Sequence, residues 1–293
     1  MPLLINADDF GLTPGVNRSI VELHQGHALT SATLMATAAF FNDAVALVRA
    51  NPGLEVGCHV LLVDATPALL PAEIPTLCPD RQSLRPSLGR FAADLYTGRI
   101  REAEIEAEAT AQIRRLQAAG LRVSHIDTHK HTHLFPRVLR PLLRAARACG
   151  VPAIRNPFEP DWALRATPAA SRLRRLAVIA LDSNRRAFHR LVAESGLATP
   201  AGTIGVLATG TADVPSALRS LLAALAKSPH QDGRVWELVC HPGYPDQHLD
   251  QIRTRLRASR AEEHAALLDQ VPRSGVELGS WSSLAGTSVN SSA

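Results

Sequence analysis

Short apolar runs and amphipathic stretches alternate along the chain. Leu3–Ala7 is an apolar run of strand length. Pro14–Gly26 comes next with helical spacing, Thr13 ahead of it and Pro at its first position. Leu29–Met35, rich in Thr, Leu and Ala, reads as a second strand. Phe41–Ala50 reads as a helix stopped by Asn51-Pro52-Gly53, and Leu54–Leu62 as a third strand. Val63–Pro86 carries several prolines and little periodicity, which predicts a long functional loop or lid. Ile100–Ala119 is a strong amphipathic helix ending at Gly120. Arg122–Thr128 is a strand, Arg137–Cys149 a helix ended by Gly150, and Val151–Arg155 the next strand. Pro157, Pro160 and Pro168 interrupt regular structure after that strand, and a helix is expected over Ser171–Ser195. Strand Gly202–Ala208, helix Val214–Lys227, strand Arg234–His241, helix Leu249–Leu268 and a short strand at Val276–Leu278 complete the series. Gly286–Ala293 is small and polar and reads as a frayed tail.

A strand-then-helix rhythm repeated seven or eight times predicts an α/β protein. The expected architecture is a TIM-like (β/α) barrel of seven or eight parallel strands, one domain over residues 1–285. An open doubly wound sheet is the alternative, weakened as a dinucleotide binder because no GxGxxG follows the first strand. A length of 293 residues suits one barrel, and a hydrophobic content of 46% suffices for its core.

Composition narrows the partners. The formal charge of +4 is a mild excess, carried by arginines such as Arg172, Arg174, Arg175, Arg185, Arg186 and Arg190. These read as a solvated helix face, or as a contact with anionic lipid head groups or phosphates. An aromatic content of 4% argues against stacking platforms for nucleic acid. Cys58, Cys78, Cys149 and Cys240 are far apart with no CxxC, so free thiols in a reducing compartment are expected rather than a structural zinc site. The N-terminus enters a strand at once, without a signal segment, and no apolar run reaches membrane-spanning length. A cytoplasmic protein is expected, with peripheral contact at the inner membrane. Apolar helix faces serve equally for a barrel's own packing and for a homodimer seam.

The chemistry collects at strand ends. Four of twelve histidines fall in the run His125-Ile126-Asp127-Thr128-His129-Lys130-His131-Thr132-His133. In an extended strand His125, Asp127 and His129 share one face, with His131 and His133 continuing into the loop beyond. Asp8 and Asp9 follow the first strand, His59 lies late in the third, and His241 ends the strand that begins at Arg234. A barrel gathers such positions at one mouth. Adjacent Asp8 and Asp9 point in different directions in an extended chain, so one can bind a metal while the other faces substrate or water. An Asp with two His suits Zn²⁺ or a similar divalent ion and leaves room for water and substrate. A carboxylate to take the water's proton and a histidine opposite would complete the equipment for hydrolysis of an amide or ester.

These residues resemble a known family. Ala7-Asp8-Asp9-Phe10-Gly11, Val56-Gly57-Cys58-His59, the histidine run and Cys240-His241-Pro242-Gly243-Tyr244 are similar, in order and spacing, to the motifs of the YdjC-type carbohydrate deacetylases. Gly275-Val276-Glu277-Leu278-Gly279-Ser280-Trp281 resembles the family's last strand. The resemblance implies a variant (β/α) barrel. It implies that Asp9, His59 and His129 bind a divalent metal: zinc first, with magnesium, nickel or cobalt as the other candidates. It implies Asp8 as general base. His241 is assigned as general acid, with His131 and His133 as competitors. His125, Asp127, Arg155 and Tyr244 are expected to orient ligands or touch substrate. Leu61–Pro75 and Ile154–Pro160 resemble more narrowly the hopanoid-biosynthesis-associated branch, which implies an N-acetylglucosaminyl hopanoid as substrate. Leu61, Leu62, Val63, Leu69 and Leu70 would then offer an apolar surface beside the mouth, or simply pack the loop. Cys58 departs from the larger apolar residue that many members carry.

The leading expectation is therefore a metal-dependent N-deacetylase acting on a GlcNAc-bearing glycolipid or oligosaccharide. A chito-oligosaccharide deacetylase is the nearest alternative. A metal-dependent phosphoesterase and a non-catalytic sugar- or lipid-binding barrel are the remaining readings.

Overall fold

All eight residues of the first strand, β1 (Leu3–Phe10), are buried, so the strand has apolar structure on both faces. Leu3, Ile5 and Ala7 point outward into the main apolar core, beneath the helices. Leu4 points the other way, into a small separate cluster with Ala153, Ala198 and Trp281. That division defines an outer and an inner face of a parallel sheet. The remaining strands are β2 (Ser31–Leu34), β3 (Glu55–Val60), β4 (Val123–Thr128), β5 (Thr203–Ile204) and β6 (Trp236–Cys240). Their order is β4-β3-β2-β1-β6-β5, all neighbours parallel. The computed structural model describes residues 2–167, 182–211, 213–227 and 234–284.

The sheet thus forms a half-barrel of six strands, where the sequence rhythm predicts seven or eight. Val151–Arg155 contributes only single bridges, Ile154 to Ile126 and Ala153 to Ala198, and Val276–Leu278 only Leu278 to Leu3. Pro152, inside the first of these segments, and Pro157, just beyond it, cannot donate to a ladder. Isolated bonds continue the curve past β4: Arg155 N–H to the Ile126 carbonyl at 3.0 Å and Thr203 N–H to the Phe158 carbonyl at 3.2 Å.

Helices lie where apolar spacing predicts them. Pro14–Gln25 starts at a Thr13 cap whose hydroxyl accepts from Val16 N–H at 3.2 Å. Phe41–Ala50, Glu102–Ala118, Pro136–Ala148 and Val214–Ala226 match the expected segments to within two residues. Two short helices were not expected: Leu88–Tyr96, capped by Ser87 with Phe91 and Leu95 buried, and Asp161–Ala166. The single helix expected over Leu249–Leu268 is two, Gln247–Gln251 and Ser259–Gln270. Leu249 and Leu256 are both buried, so the apolar spacing survives the break. Arg257 donates to the carbonyls of Asp250 and Ile252 at 2.9 and 2.8 Å, satisfying the broken end. Of the helix expected over Ser171–Ser195, Arg185–Ser195 is present, while 171–181 lies outside the described residues, as do Arg172, Arg174, Arg175 and the 286–293 tail. Arg185 pairs with Asp182 at 2.6 Å and covers the Phe158 ring.

The 63–86 stretch is irregular, as expected, but it offers little apolar surface. Leu61, Leu62 and Val63 are buried, Leu69 packs against the core, and Leu70 alone of the five is exposed. The loop is fastened by Glu108, whose carboxylate accepts from Ala68 and Leu69 N–H, and by Glu104, which accepts from Thr76 and Leu77 N–H. All four cysteines are buried and unpaired. No helix among the described residues is long and apolar enough to cross a membrane.

Candidate metal centre

The inner face of the sheet is layered. At its base Trp281 packs with Leu4, and its indole stacks on His125 at 3.8 Å between centroids. A Cβ on Gly57 would lie 2.5 Å from the His125 ring, so only glycine admits that stack. Asn6 and Ser31 come next, joined at 2.8 Å. Above them, toward the C-terminal ends of the strands, the residues are Asp8, Thr33, His59, Asp127, Arg155 and Glu237, every one buried. A layer this polar inside a barrel must satisfy itself or serve a ligand.

Strict alternation would send Asp8 and Asp9 to opposite faces. The register of β1 shifts between Ala7 and Phe10, and Asp9 takes a left-handed conformation, φ 67°. This conformation costs roughly 1 kcal/mol or more for a non-glycine residue. Its effect is to turn Asp9 back, so that both carboxylates line one cavity of about 500 Å³. There Asp9, His59 and His129 offer one ligand atom each, all within 4.8 Å of one another. Asp9 Oδ1 stands 3.7 Å from His59 Nε2 and 3.7 Å from His129 Nδ1, and those two nitrogens are 3.4 Å apart.

The set fits a divalent ion. Asp9 Oδ1 is buried with no hydrogen-bond partner. The other oxygen is held by Arg260 at 2.5 Å, which leaves Oδ1 aimed into the cavity. His59 gives Nδ1 to Asp127 at 2.7 Å, leaving Nε2 toward the same point. Burial opposes charge on His59, but Asp127, Asp8 and Asp9 prevail and raise its pKa to about 9. A metal binding here must displace that proton. Burial holds His129 down to about 4, so its nitrogen is a free base at neutral pH. Burial also works against the Asp9 carboxylate, yet Arg260 and the neighbouring histidines hold its pKa well below the usual range.

Beside this cluster lies a buried ion group centred on Arg155. Its guanidinium meets Asp8 at two points, Nη1 to Oδ2 at 2.8 Å and Nη2 to Oδ1 at 2.7 Å, meets Glu237 through Nε at 2.8 Å, and contacts Asp127 Oδ2 closely. Burial alone would raise the Asp8 pKa, but Arg155, His59 and His241 bring it well below the usual value. Asp8 Oδ1 accepts from Asn6, Thr33 and Arg155, which leaves Oδ2 the less occupied oxygen; it is 3.8 Å from His241 Nε2.

Glu237 behaves oppositely. Burial, reinforced by Asp8 and Asp127, overcomes Arg155 and raises its pKa from 4.5 to about 7. The folded protein therefore keeps this proton up to about pH 7, while the unfolded chain releases it near 4.5. The stability this contributes is complete below pH 4.5 and lost as pH rises to 7, roughly 3 kcal/mol in all. Glu237→Gln is expected to flatten the stability profile across that window, read as guanidinium midpoints at several pH values. An unchanged slope would contradict the assignment.

The other expected residues divide. His131 lines the cavity, and burial depresses its pKa to about 3. His133 does not reach the cavity: it is buried, bonded through Nδ1 to Thr128 at 2.7 Å and packed near Phe188. His125 sits lower, on Trp281. Tyr244 is placed elsewhere, a correction to its expected role. Its hydroxyl donates to Glu22 at 2.5 Å and meets His264 Nε2 at 2.8 Å, because its main chain is tied to Gly15, at the start of the first helix. Several contributors were not anticipated: Arg260 behind Asp9, Glu237 behind Arg155, Thr209 beside His241, and Lys130 paired with Asp64 at 2.6 Å on the rim. Glu237 carried a sequence signal, a charge inside the apolar run 236–240. Arg260 carried none, being one polar residue on an amphipathic helix.

Comparison with known proteins gives the family. The family model for YdjC-like proteins matches residues 2–277. A carbohydrate deacetylase of Brevibacillus brevis is 41% identical over 160 residues, 54% of this chain and 60% of its own length. One of Oceanobacillus iheyensis is 35% identical over 158 residues, 52% and 64% respectively. The matched stretch is thus under two thirds of either relative. A candidate cellobiose-phosphate cleavage protein of Enterococcus faecalis superposes with TM-score 0.74 at 25% identity, covering 97% of this chain and 98% of that one. A lactam utilization protein of Thermus thermophilus shares the fold, with TM-score 0.51 at 17% identity over 95% of this chain and 99% of that one.

Proposed function

This chain belongs to the YdjC-like protein family, and from that premise we propose that it is a metal-dependent carbohydrate N-deacetylase. The substrate is a GlcNAc-bearing molecule, by preference N-acetylglucosaminyl hopanoid. The observation that carries the reading is the orphaned Asp9 Oδ1, buried among His59 and His129 with a second carboxylate, Asp8, beside them. Carbohydrate deacetylases among its relatives point to the same chemistry. The hopanoid preference rests on the segments 61–75 and 154–160.

Asp9, His59 and His129 would hold the ion, zinc before magnesium, nickel or cobalt. When bound, it supplies Lewis acidity and a water acidic near pH 7. Asp8 accepts the proton of the attacking water on Oδ2, the oxygen facing His241. A carboxylate held ionised by Arg155 is a weak base, sufficient only for a water already made acidic. Arg155 keeps Asp8 from swinging toward the ligands, since two guanidinium nitrogens grip it. His241, from the end of β6, gives a proton to the departing amine. Acetate and a free amino sugar leave.

The test is mass spectrometry of products after incubation with N-acetylglucosaminyl hopanoid and, in parallel, with diacetylchitobiose, alongside elemental analysis of the protein. Loss of one acetyl group from the hopanoid, abolished by chelation and restored by zinc, is the expected result. Loss from chitobiose alone would replace the glycolipid with an oligosaccharide. No acetate from either would sink the deacetylase reading.

A further inference from the structure

His241 is held by two residues from separate elements. Its Nδ1 lies 3.2 Å from the Thr209 hydroxyl, which follows β5. That hydroxyl is in very close contact with Glu263 Oε1, on the helix Ser259–Gln270. Glu263 Oε2 accepts the main-chain N–H of His241 at 2.5 Å. Thr209 and Glu263 are both buried. Asp9 and His59 have supports of their own, Arg260 and Asp127.

The hydrogen count determines the tautomer. A threonine hydroxyl has one proton. With both Glu263 oxygens engaged as acceptors, the hydroxyl proton goes to the carboxylate. Oγ1 then turns a lone pair to the ring, and only a protonated Nδ1 can meet it. We propose that Thr209 and Glu263 are positioning residues that fix His241 as the Nδ1–H tautomer, reserving Nε2 for proton transfer in the cavity. The proposal rests on the reading of His241 as proton donor.

The step balances. The proton lost by the attacking water passes through Asp8 Oδ2, 3.8 Å away, to Nε2. The Nε2–H bond breaks as the C–N bond of the acetamide breaks and a new N–H bond forms on the leaving amine. The Nδ1 proton stays in place throughout, and the positive charge on the doubly protonated ring is offset by Glu263 through the Thr209 hydroxyl. Glu263 also anchors the His241 backbone, so the ring plane and the tautomer have one origin.

The experiment combines ¹⁵N NMR of the imidazoles with kinetics, on the wild type, T209V, T209S and E263Q, using H241N to assign the His241 signals. In the wild type, Nδ1 of His241 should be of the protonated type. T209V, which keeps the shape and loses the acceptor, should show a tautomer mixture, and T209S should restore the wild-type pattern. T209V and E263Q should lower kcat about 10- to 100-fold, a part of the roughly 10²- to 10⁴-fold a general acid contributes. KM should stay within about twofold, because substrate binding does not use Nδ1. A wild-type Nδ1 signature in T209V, or an unprotonated Nδ1 in the wild type, would overturn the proposal. Acetate release failing in the wild type would instead overturn the deacetylase reading, while the spectra still decide the tautomer.

Discussion

Replacing Asp8 with asparagine is expected to abolish acetate release while the metal content stays close to that of the wild type. An amide has the shape of the carboxylate but cannot take a proton from water, so the loss should approach the roughly 10²- to 10⁴-fold of a missing general base. Metal retention is expected from the geometry: Asp8 is not among Asp9, His59 and His129, and the Arg260 bond that orients Asp9 does not involve it. Elemental analysis and an acetate assay on the same preparation check both halves. A variant that retains the metal and hydrolyses at the wild-type rate would remove Asp8 from the mechanism. A variant that loses the metal would instead make Asp8 a ligand.

The second large effect concerns stability. Arg155→Met is expected to cost about 3–5 kcal/mol, because it leaves the Asp8 and Asp127 carboxylates in a buried layer without the cation that pairs with both. Against a total stability of about 5–15 kcal/mol, that loss brings many proteins near unfolding at room temperature. Adding Asp127→Asn should recover part of it, since one carboxylate fewer is then stranded, whereas Glu237→Gln should recover little because Glu237 holds its proton up to about pH 7 even beside Arg155, and the coupling identifies the cause as electrostatic rather than as lost packing. Guanidinium denaturation of the single and double variants measures this. A loss below about 1 kcal/mol for Arg155→Met would show that water reaches the layer and screens it.

The histidine run illustrates how far a sequence can be read. Period-two alternation correctly put His125 and Asp127 on one face of β4, but face alone does not give depth. His125 lies a layer below, against Trp281, while Asp127 holds His59. Beyond the strand the alternation ends: Lys130 and His131 take left-handed conformations, so His131 turns to the cavity and His133 into the core. Tyr244 shows the opposite failure. The resemblance of Cys240–Tyr244 to a family motif implied a place beside the substrate, but the chain turns at Pro242-Gly243 and the Tyr244 ring is captured by Glu22 and His264. Helix breaks were illegible for a related reason, since Leu249 and Leu256 are buried whether or not the chain between them is helical.

By itself the sequence determined most of the strands and helices and the carboxylates and imidazoles that reach the strand ends. These are local properties, set by spacing along the chain. Only the tertiary structure decided that six strands suffice, that Asp9 turns back to join His59 and His129, and that Arg155 is shared by three carboxylates from three strands. Those outcomes depend on charges far apart in sequence being forced into one buried layer, where each must find a partner because burial withdraws it from bulk solvent.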